Sequence, residues 1–97
     1  MRINDYVKNE IVKYAKINFT DFHLYLFGSR VDDSKKGGDI DLFIECEHAL
    51  NLEKQMSFLK YIYKNVTQKK VDLVVKTPFV VDKPIFTDAK RTGILLC

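Results

Sequence analysis

The stretch Leu24–Glu45, with the sequence LYLFGSRVDDSKKGGDIDLFIE, decides the fold of this chain. Two apolar runs, LYLF and IDLFIE, enclose a loop with two glycine-bearing corners and four aspartates. Short apolar runs bounded by glycine and aspartate are typical of buried β-strands. The stretch therefore predicts two strands joined by a charged loop. It also raises the question of why Asp39 and Asp41 stand at the start of an apolar strand.

The composition is that of an ordinary globular protein, with 97 residues, 46% of them hydrophobic and 30% charged. A single domain over residues 1–97, with one modest core, is predicted. The net charge of +3 is too small to indicate direct nucleic-acid binding, which usually goes with a clustered Lys/Arg stripe. The two cysteines lack metal-ligand spacing, and neither a signal peptide nor a membrane-spanning apolar run is present. These features predict a cytoplasmic protein without a membrane partner.

Apolar periodicity divides the chain into helices and strands. Helical spacing predicts a first helix from Ile3 to about Phe19, which Asn4 or Asp5 would cap. A second helix is predicted from Asn51, and its core-facing side is expected to consist of Leu52, Met56, Leu59, Tyr63 and Val66. Short runs rich in aromatic and β-branched residues predict three strands, at His23–Phe27, Asp39–Glu45 and Lys70–Val75.

The C-terminal part is predicted to add a short helix and an edge strand. Pro78 and Pro84 bracket a loop, the following PIFTDAKR is helical in character, and Gly93 would stop that helix before ILLC. The resulting order, α-β-β-α-β followed by a short helix and strand, implies the α/β class. We expect a small mixed sheet flanked by helices.

Three strand-borne aspartates predict a metal site. Strand side chains alternate between faces, so Asp39 and Asp41 point away from the core while Ile40 and its alternating neighbours point into it. Asp72 likewise interrupts the apolar strand KVDLVV, where an unpaired charge is costly. If the third strand lies beside the second, these carboxylates converge, and oxygen ligands suit Mg²⁺ or Mn²⁺. The alternative is that all three are solvated, with Asp72 an edge charge that discourages aggregation.

The segment after the first strand has the features of a phosphate-binding loop. Gly28 permits a positive φ and a close backbone approach, Ser29 supplies a hydroxyl and an amide N–H, and Arg30 supplies a fixed charge. Asp32 and Asp33, at the loop tip, are expected to be ordinary turn residues.

The combination of GSR, DIDL nine residues later and VDLVV downstream resembles the minimal nucleotidyltransferases (MNT) of the DNA polymerase beta superfamily. The resemblance covers nearly the whole chain in element order and implies their palm-like fold. Many members have ten residues between the Gly-Ser and the first Asp, whereas this chain has nine. The resemblance implies that Asp39, Asp41 and Asp72 hold two Mg²⁺ ions. Gly28, Ser29 and Arg30 would then bind the phosphates of ATP or another NTP.

The resemblance also implies a reaction and a partner. Family members transfer a nucleoside monophosphate from an NTP to an acceptor hydroxyl. Relatives of this size often pair with a small helical HEPN-type toxin as the antitoxin of a toxin–antitoxin system, and some adenylylate a tyrosine of that toxin. We therefore expect AMP transfer from ATP, with a HEPN-type protein or a second copy of the chain (a homodimer) presenting the acceptor. The alternatives are a non-catalytic antitoxin that acts by contact and an enzyme that modifies a small molecule.

Overall fold

The computed structural model describes residues 5–28 and 39–97. In chain order, its elements are α1 (Asp5–Asn18), β1 (Phe22–Phe27), β2 (Ile40–Cys46), α2 (Leu52–Asn65), β3 (Val71–Lys76), α3 (Pro84–Thr92) and β4 (Ile94–Leu95). This order confirms the predicted α/β arrangement, including the short C-terminal helix and strand. The expected start of the first helix at Ile3 lies outside the described residues. Among the described helices, none is long and apolar enough to cross a membrane.

The strands form one mixed sheet in the order β3-β2-β1-β4. β1 is antiparallel to both of its neighbours, whereas β2 and β3 run parallel. A parallel pair needs a crossover connection, and α2 provides it. As a result, β2 and β3 begin at the same end of the sheet, and β3 and β4 form its two edges.

Two helix ends have clear local causes. The Asn51 side chain accepts a hydrogen bond from the Glu53 backbone N–H at 2.6 Å, so α2 begins where the sequence predicts. At the other end of the chain, Gly93 follows α3, and its N–H donates to the Ala89 carbonyl at 2.8 Å. β4 begins at the next residue and pairs with β1.

The main core lies on one face of the sheet. The β2 side chains predicted to face it, Ile40, Leu42 and Ile44, are all buried there. α1 and α2 cover this face with the buried side chains Ile11, Ala15, Phe58 and Ile62. The period-2 pattern of β2 therefore assigned its two faces correctly.

A smaller apolar cluster lies on the opposite face, beneath α3. Phe43 of β2 is fully buried, and its ring stacks on Phe86 of α3 with a centroid distance of 5.7 Å. Ala89 of α3 and, in part, Tyr25 of β1 complete the cluster. Phe43 thus packs against a helix. α3 packs mainly on β1 and β2, and Val74 of the edge strand β3 packs against the same cluster.

The predicted core-facing side of α2 is wrong for most of its members. Leu52, Met56 and Tyr63 are exposed by 68%, 59% and 39%, whereas Phe58 and Ile62 are fully buried. Of the predicted face, Leu59 and Val66 do pack against the core. The physical reason is that α2 carries apolar residues at helical spacing on two sides, and packing against α1 and the sheet selects one of them.

Candidate functional site

The parallel pairing of β2 and β3 brings the predicted aspartates to one end of the sheet. Asp41 and Asp72 are direct register partners on neighbouring strands. Asp39 lies immediately before β2, so it does not itself belong to the strand as predicted. Because register partners in a sheet point to the same face, the Asp41 and Asp72 carboxylates project from the face opposite the main core. The condition set by the sequence, that the third strand lies beside the second, is met.

Asp41 interacts electrostatically with both of the other aspartates. The pKa of the Asp41 carboxyl is raised, first by burial and then by the negative charges of Asp72 and Asp39. The ammonium of Lys70 acts in the opposite direction and lowers this pKa. Half-buried Asp41 therefore carries its charge at a cost that a cation between the carboxylates would relieve.

Lys70 is a member of this site that the sequence analysis missed. Its Nζ lies 3.5 Å from Oδ1 of Asp72, just before the start of β3. A signal was present, because residues two apart on an extended chain point to the same side. The pair Lys70 and Asp72 in the run KVDLVV could therefore have been recognised as neighbours.

Gly28 ends β1 beside Asp41 and has the positive φ that the sequence predicts, at +76°. A Cβ atom placed on Gly28 would collide with the Asp41 carboxylate. The absence of a side chain at Gly28 thus lets this carboxylate lie directly against the backbone. In the described structure, the close approach made by Gly28 is to an aspartate of the site.

The remainder of the predicted phosphate-binding loop lies outside the described residues. This applies to Ser29 and Arg30, and also to the loop-tip residues Asp32 and Asp33. Their predicted roles therefore stay predictions.

The donor chemistry of the site fits a hard divalent cation. Its potential ligands are carboxylate oxygens, the type that Mg²⁺ and Mn²⁺ prefer. Within residues 5–28 and 39–97, however, no three or more His, Cys, Asp or Glu side chains are grouped closely enough to hold a metal ion. Among the described residues, Lys70 places a positive charge next to Asp72.

A second charged group occupies the far end of the same face. Glu45 of β2 forms ion pairs with Lys90 of α3 at 3.2 Å and with Lys76 of β3 at 4.0 Å. These side chains line a cavity together with Asp82, Phe86 and Thr87. Glu45 lies four residues beyond Asp41 along β2, a distance of roughly 13 Å at the usual strand rise. It is therefore separate from the aspartate site.

Known proteins resemble this chain both in sequence profile and in fold. The profile of the nucleotidyltransferase domain matches residues 8–95 of the chain. Among solved structures, a toxin–antitoxin complex with AMP-PNP has a TM-score of 0.71 and 20% identity, over 93% of this chain and 72% of that one. A mutant of the toxin–antitoxin MntA–HpeT has a TM-score of 0.71 and 18% identity, over 98% and 73% of the two chains.

A third solved structure is that of a tri-AMPylated Shewanella oneidensis HEPN toxin in complex with an MNT antitoxin. It has a TM-score of 0.67 and 20% identity, over 94% of this chain and 69% of that one. At such identities, the likeness of these structures establishes the fold. No curated protein is significantly similar to the chain.

Proposed function

Because the chain belongs to the nucleotidyltransferase domain family, we propose that it transfers AMP from ATP to an acceptor hydroxyl with the aid of Mg²⁺. The observation that carries this proposal is the register of Asp41 with Asp72, with Asp39 one residue before β2. Three carboxylates lie at the starts of the strands, and the pKa of half-buried Asp41 is raised first by burial and then by the charges of the other two. Such an environment is suited to divalent cations.

Each residue of the site has an assigned role in this proposal. Asp39, Asp41 and Asp72 would hold two Mg²⁺ ions, which supply charge stabilisation for the phosphates when bound. Gly28 keeps space for the Asp41 carboxylate, and Ser29 with Arg30 would bind the β- and γ-phosphates. In the absence of nucleotide, Lys70 provides a counter-charge to Asp72.

The proposed reaction is an in-line substitution at the α-phosphorus. The acceptor oxygen forms a bond to the α-phosphorus, the bond from that phosphorus to the oxygen bridging to the β-phosphate breaks, and pyrophosphate leaves. We assign Asp72 to the side of the acceptor, whose hydroxyl proton passes to a carboxylate or to water. The work of the protein is mainly positioning and charge stabilisation.

We further propose that the acceptor is a tyrosine of a small helical HEPN-type toxin, so that the chain acts as the antitoxin in the cytoplasm. Among the described residues, the side chain of Asp72 is 43% exposed, so the aspartate site is open to solvent at this carboxylate. In this proposal, a second protein holds the acceptor oxygen near the phosphorus. Support comes from the solved relatives, which are toxin–antitoxin complexes, one of them with an AMPylated HEPN toxin.

The deciding experiment is adenylylation of the partner. The purified protein is incubated with ATP, Mg²⁺ and the helical product of the adjacent reading frame, and intact mass spectrometry should show addition of AMP to that partner. The Asp39→Asn/Asp41→Asn double variant should show none, whereas the exposed Asp88→Asn variant should behave as the wild type. If the double variant silences the toxin equally well, and no mass change occurs in either case, the antitoxin acts by contact alone.

Nucleotide binding provides an independent test. Calorimetric titration of the protein without its partner should show much tighter binding of ATP with Mg²⁺ than with EDTA, and Asp41→Asn should remove most of that difference. Equal ATP affinity with and without metal in the wild type would contradict the metal site itself, whatever the acceptor.

A further inference from the structure

The pairing of β3 with β2 fixes which backbone N–H and C=O groups of β3 point outward from the sheet. The Ile40 N–H donates to the Lys70 carbonyl at 2.8 Å, and Ile40 and Val71 are register partners. In a parallel ladder, this arrangement directs the backbone groups of alternate β3 residues, beginning with Asp72, toward β2. The backbone groups of Val71, Leu73 and Val75 are therefore directed away from the sheet.

Tyr63 of α2 occupies one end of this edge. Its hydroxyl accepts a hydrogen bond from the Val71 N–H at 2.7 Å and donates one to the Val71 carbonyl at 3.0 Å. Within residues 5–28 and 39–97, the outward backbone groups of Leu73 and Val75 have no such partner. The edge thus offers a short window, formed by Leu73 and Val75, for pairing with another strand.

An apolar stripe of α2 runs along the same side. Tyr63 reaches the β3 edge, and Met56 and Leu52 lie on the same helix face at offsets of seven and eleven residues from it. The side chains of all three are exposed. We call the window of Leu73 and Val75 together with this stripe the β3-edge surface.

We propose that the β3-edge surface binds the same surface of a second copy of this chain, with the two β3 strands antiparallel. In the register that we assign, Leu73 lies opposite Val75 of the other copy, and Val74 lies opposite its own equivalent. Each outward N–H and C=O of Leu73 and Val75 then finds a partner, while Val71 keeps its bonds to Tyr63. The sheets of the two copies become continuous, and the α2 stripes face each other on one side of that sheet.

Charge complementarity selects this register over its neighbour. With Val74 at the centre, Asp72 of each copy lies opposite Lys76 of the other, a favourable cross-strand pair. Moving the centre to Leu73 would place Lys70 opposite Lys76, and it would require the Val71 groups that Tyr63 already binds. The assigned register avoids both penalties.

The proposed dimer has a consequence for the aspartate site. Lys76 of the second copy would stand beside Asp72, so each copy adds a positive charge at the rim of the other's site. Within its own chain, Lys76 lies 4.0 Å from Glu45, a separation at which it is only loosely held. The dimer surface rests on the edge geometry of β3 and on the exposed α2 stripe, and it does not depend on the proposed reaction.

Sedimentation equilibrium over a wide range of protein concentration tests the proposal directly. We expect reversible dimerisation of the 11.3 kDa chain, and Met56→Lys should raise the dissociation constant roughly tenfold or more by placing a charge in the stripe. The matched control is Ile17→Lys on α1, which changes a residue of similar exposure, 65%, and should leave dimerisation unchanged. A wild type that stays monomeric, or equal effects of the two variants, would overturn the proposal.

The register has its own test. Lys76→Glu should weaken the dimer because it opposes Asp72 of the other copy, and the double variant Lys76→Glu/Asp72→Lys should restore it. Circular dichroism checks that each variant is folded. In addition, the Leu73 and Val75 amides should exchange with solvent more slowly as wild-type concentration rises, and Met56→Lys should abolish that dependence. A dimer whose Leu73 and Val75 amides stay unprotected would show that another surface is used.

Discussion

Replacement of Asp41 by asparagine should stabilise the metal-free protein while it removes the proposed function. Asp41 and Asp72 are register partners, and carboxylates on neighbouring strands lie about 5 Å apart. At that distance, the dielectric constant of water, about 80, gives a repulsion of about 1 kcal/mol, a lower bound that suits a largely exposed pair. Burial of the Asp41 charge, the first cause of its raised pKa, adds to the gain on neutralisation.

Thermal unfolding in EDTA at neutral pH measures this gain. For a domain of this size, 1 kcal/mol corresponds to a rise in Tm of roughly 4–8 °C. The matched control is Asp88→Asn, which removes an exposed ion pair with Arg91 and should bring no rise. Salt provides a second check, because about 1 M NaCl shortens the screening length to about 3 Å and should reduce the difference between Asp41→Asn and the wild type.

The dependence on pH has a definite sign. Since the pKa of Asp41 is higher in the folded protein than in the unfolded chain, the folded state binds that proton more tightly. Ionised Asp41 therefore destabilises the fold above its folded-state pKa, and this penalty disappears as the pH falls through that pKa. The Tm advantage of Asp41→Asn should accordingly shrink in acid. An Asp41→Asn protein with a lower Tm than the wild type in EDTA would refute the assigned electrostatics of the site.

Three further changes test neighbouring parts of the structure. Gly28→Ala should lower the free energy of unfolding by about 1–2 kcal/mol, because Gly28 has a positive φ. The added Cβ should also displace Asp41 and so weaken Mg²⁺-dependent ATP binding. An unchanged denaturant midpoint and an unchanged ATP affinity would contradict this prediction. Lys70→Met should lower the Tm in EDTA more than in Mg²⁺-ATP, since it removes the counter-charge of Asp72. Equal decreases in Tm in the two buffers would contradict that role. Tyr63→Phe should destabilise the protein by about 1–2 kcal/mol in urea unfolding, because the first residue of β3 loses its outward hydrogen bonds; no change would mean that water replaces them at no cost.

Local sequence patterns determined the elements and the faces of the strands. The alternation in DIDLFIE placed Ile40 and its alternating neighbours in the core and Asp41 on the opposite side, and the structure agrees. A period of two is a property of the extended chain itself, so it can be deduced without knowledge of any neighbour. The stop signal at Gly93 and the start of α2 after Asn51 are local in the same sense, and both are where the sequence predicts.

Only the tertiary structure decided which distant residues meet. Asp41 and Asp72 become partners through the parallel register of β2 and β3, and that register depends on how α2 packs as the crossover. The contact of Gly28 with Asp41 likewise arises from the pairing of β1 with β2.

The buried side of α2 is the clearest case in which the sequence was insufficient. Met56 and Phe58 are both large and apolar, and each belongs to a stripe at helical spacing. Helical periodicity alone cannot choose between two such stripes. The choice was made by packing against α1 and the sheet, which buried Phe58 and left Met56 exposed. Burial is a property of the assembled fold, and for that reason it was decided only there.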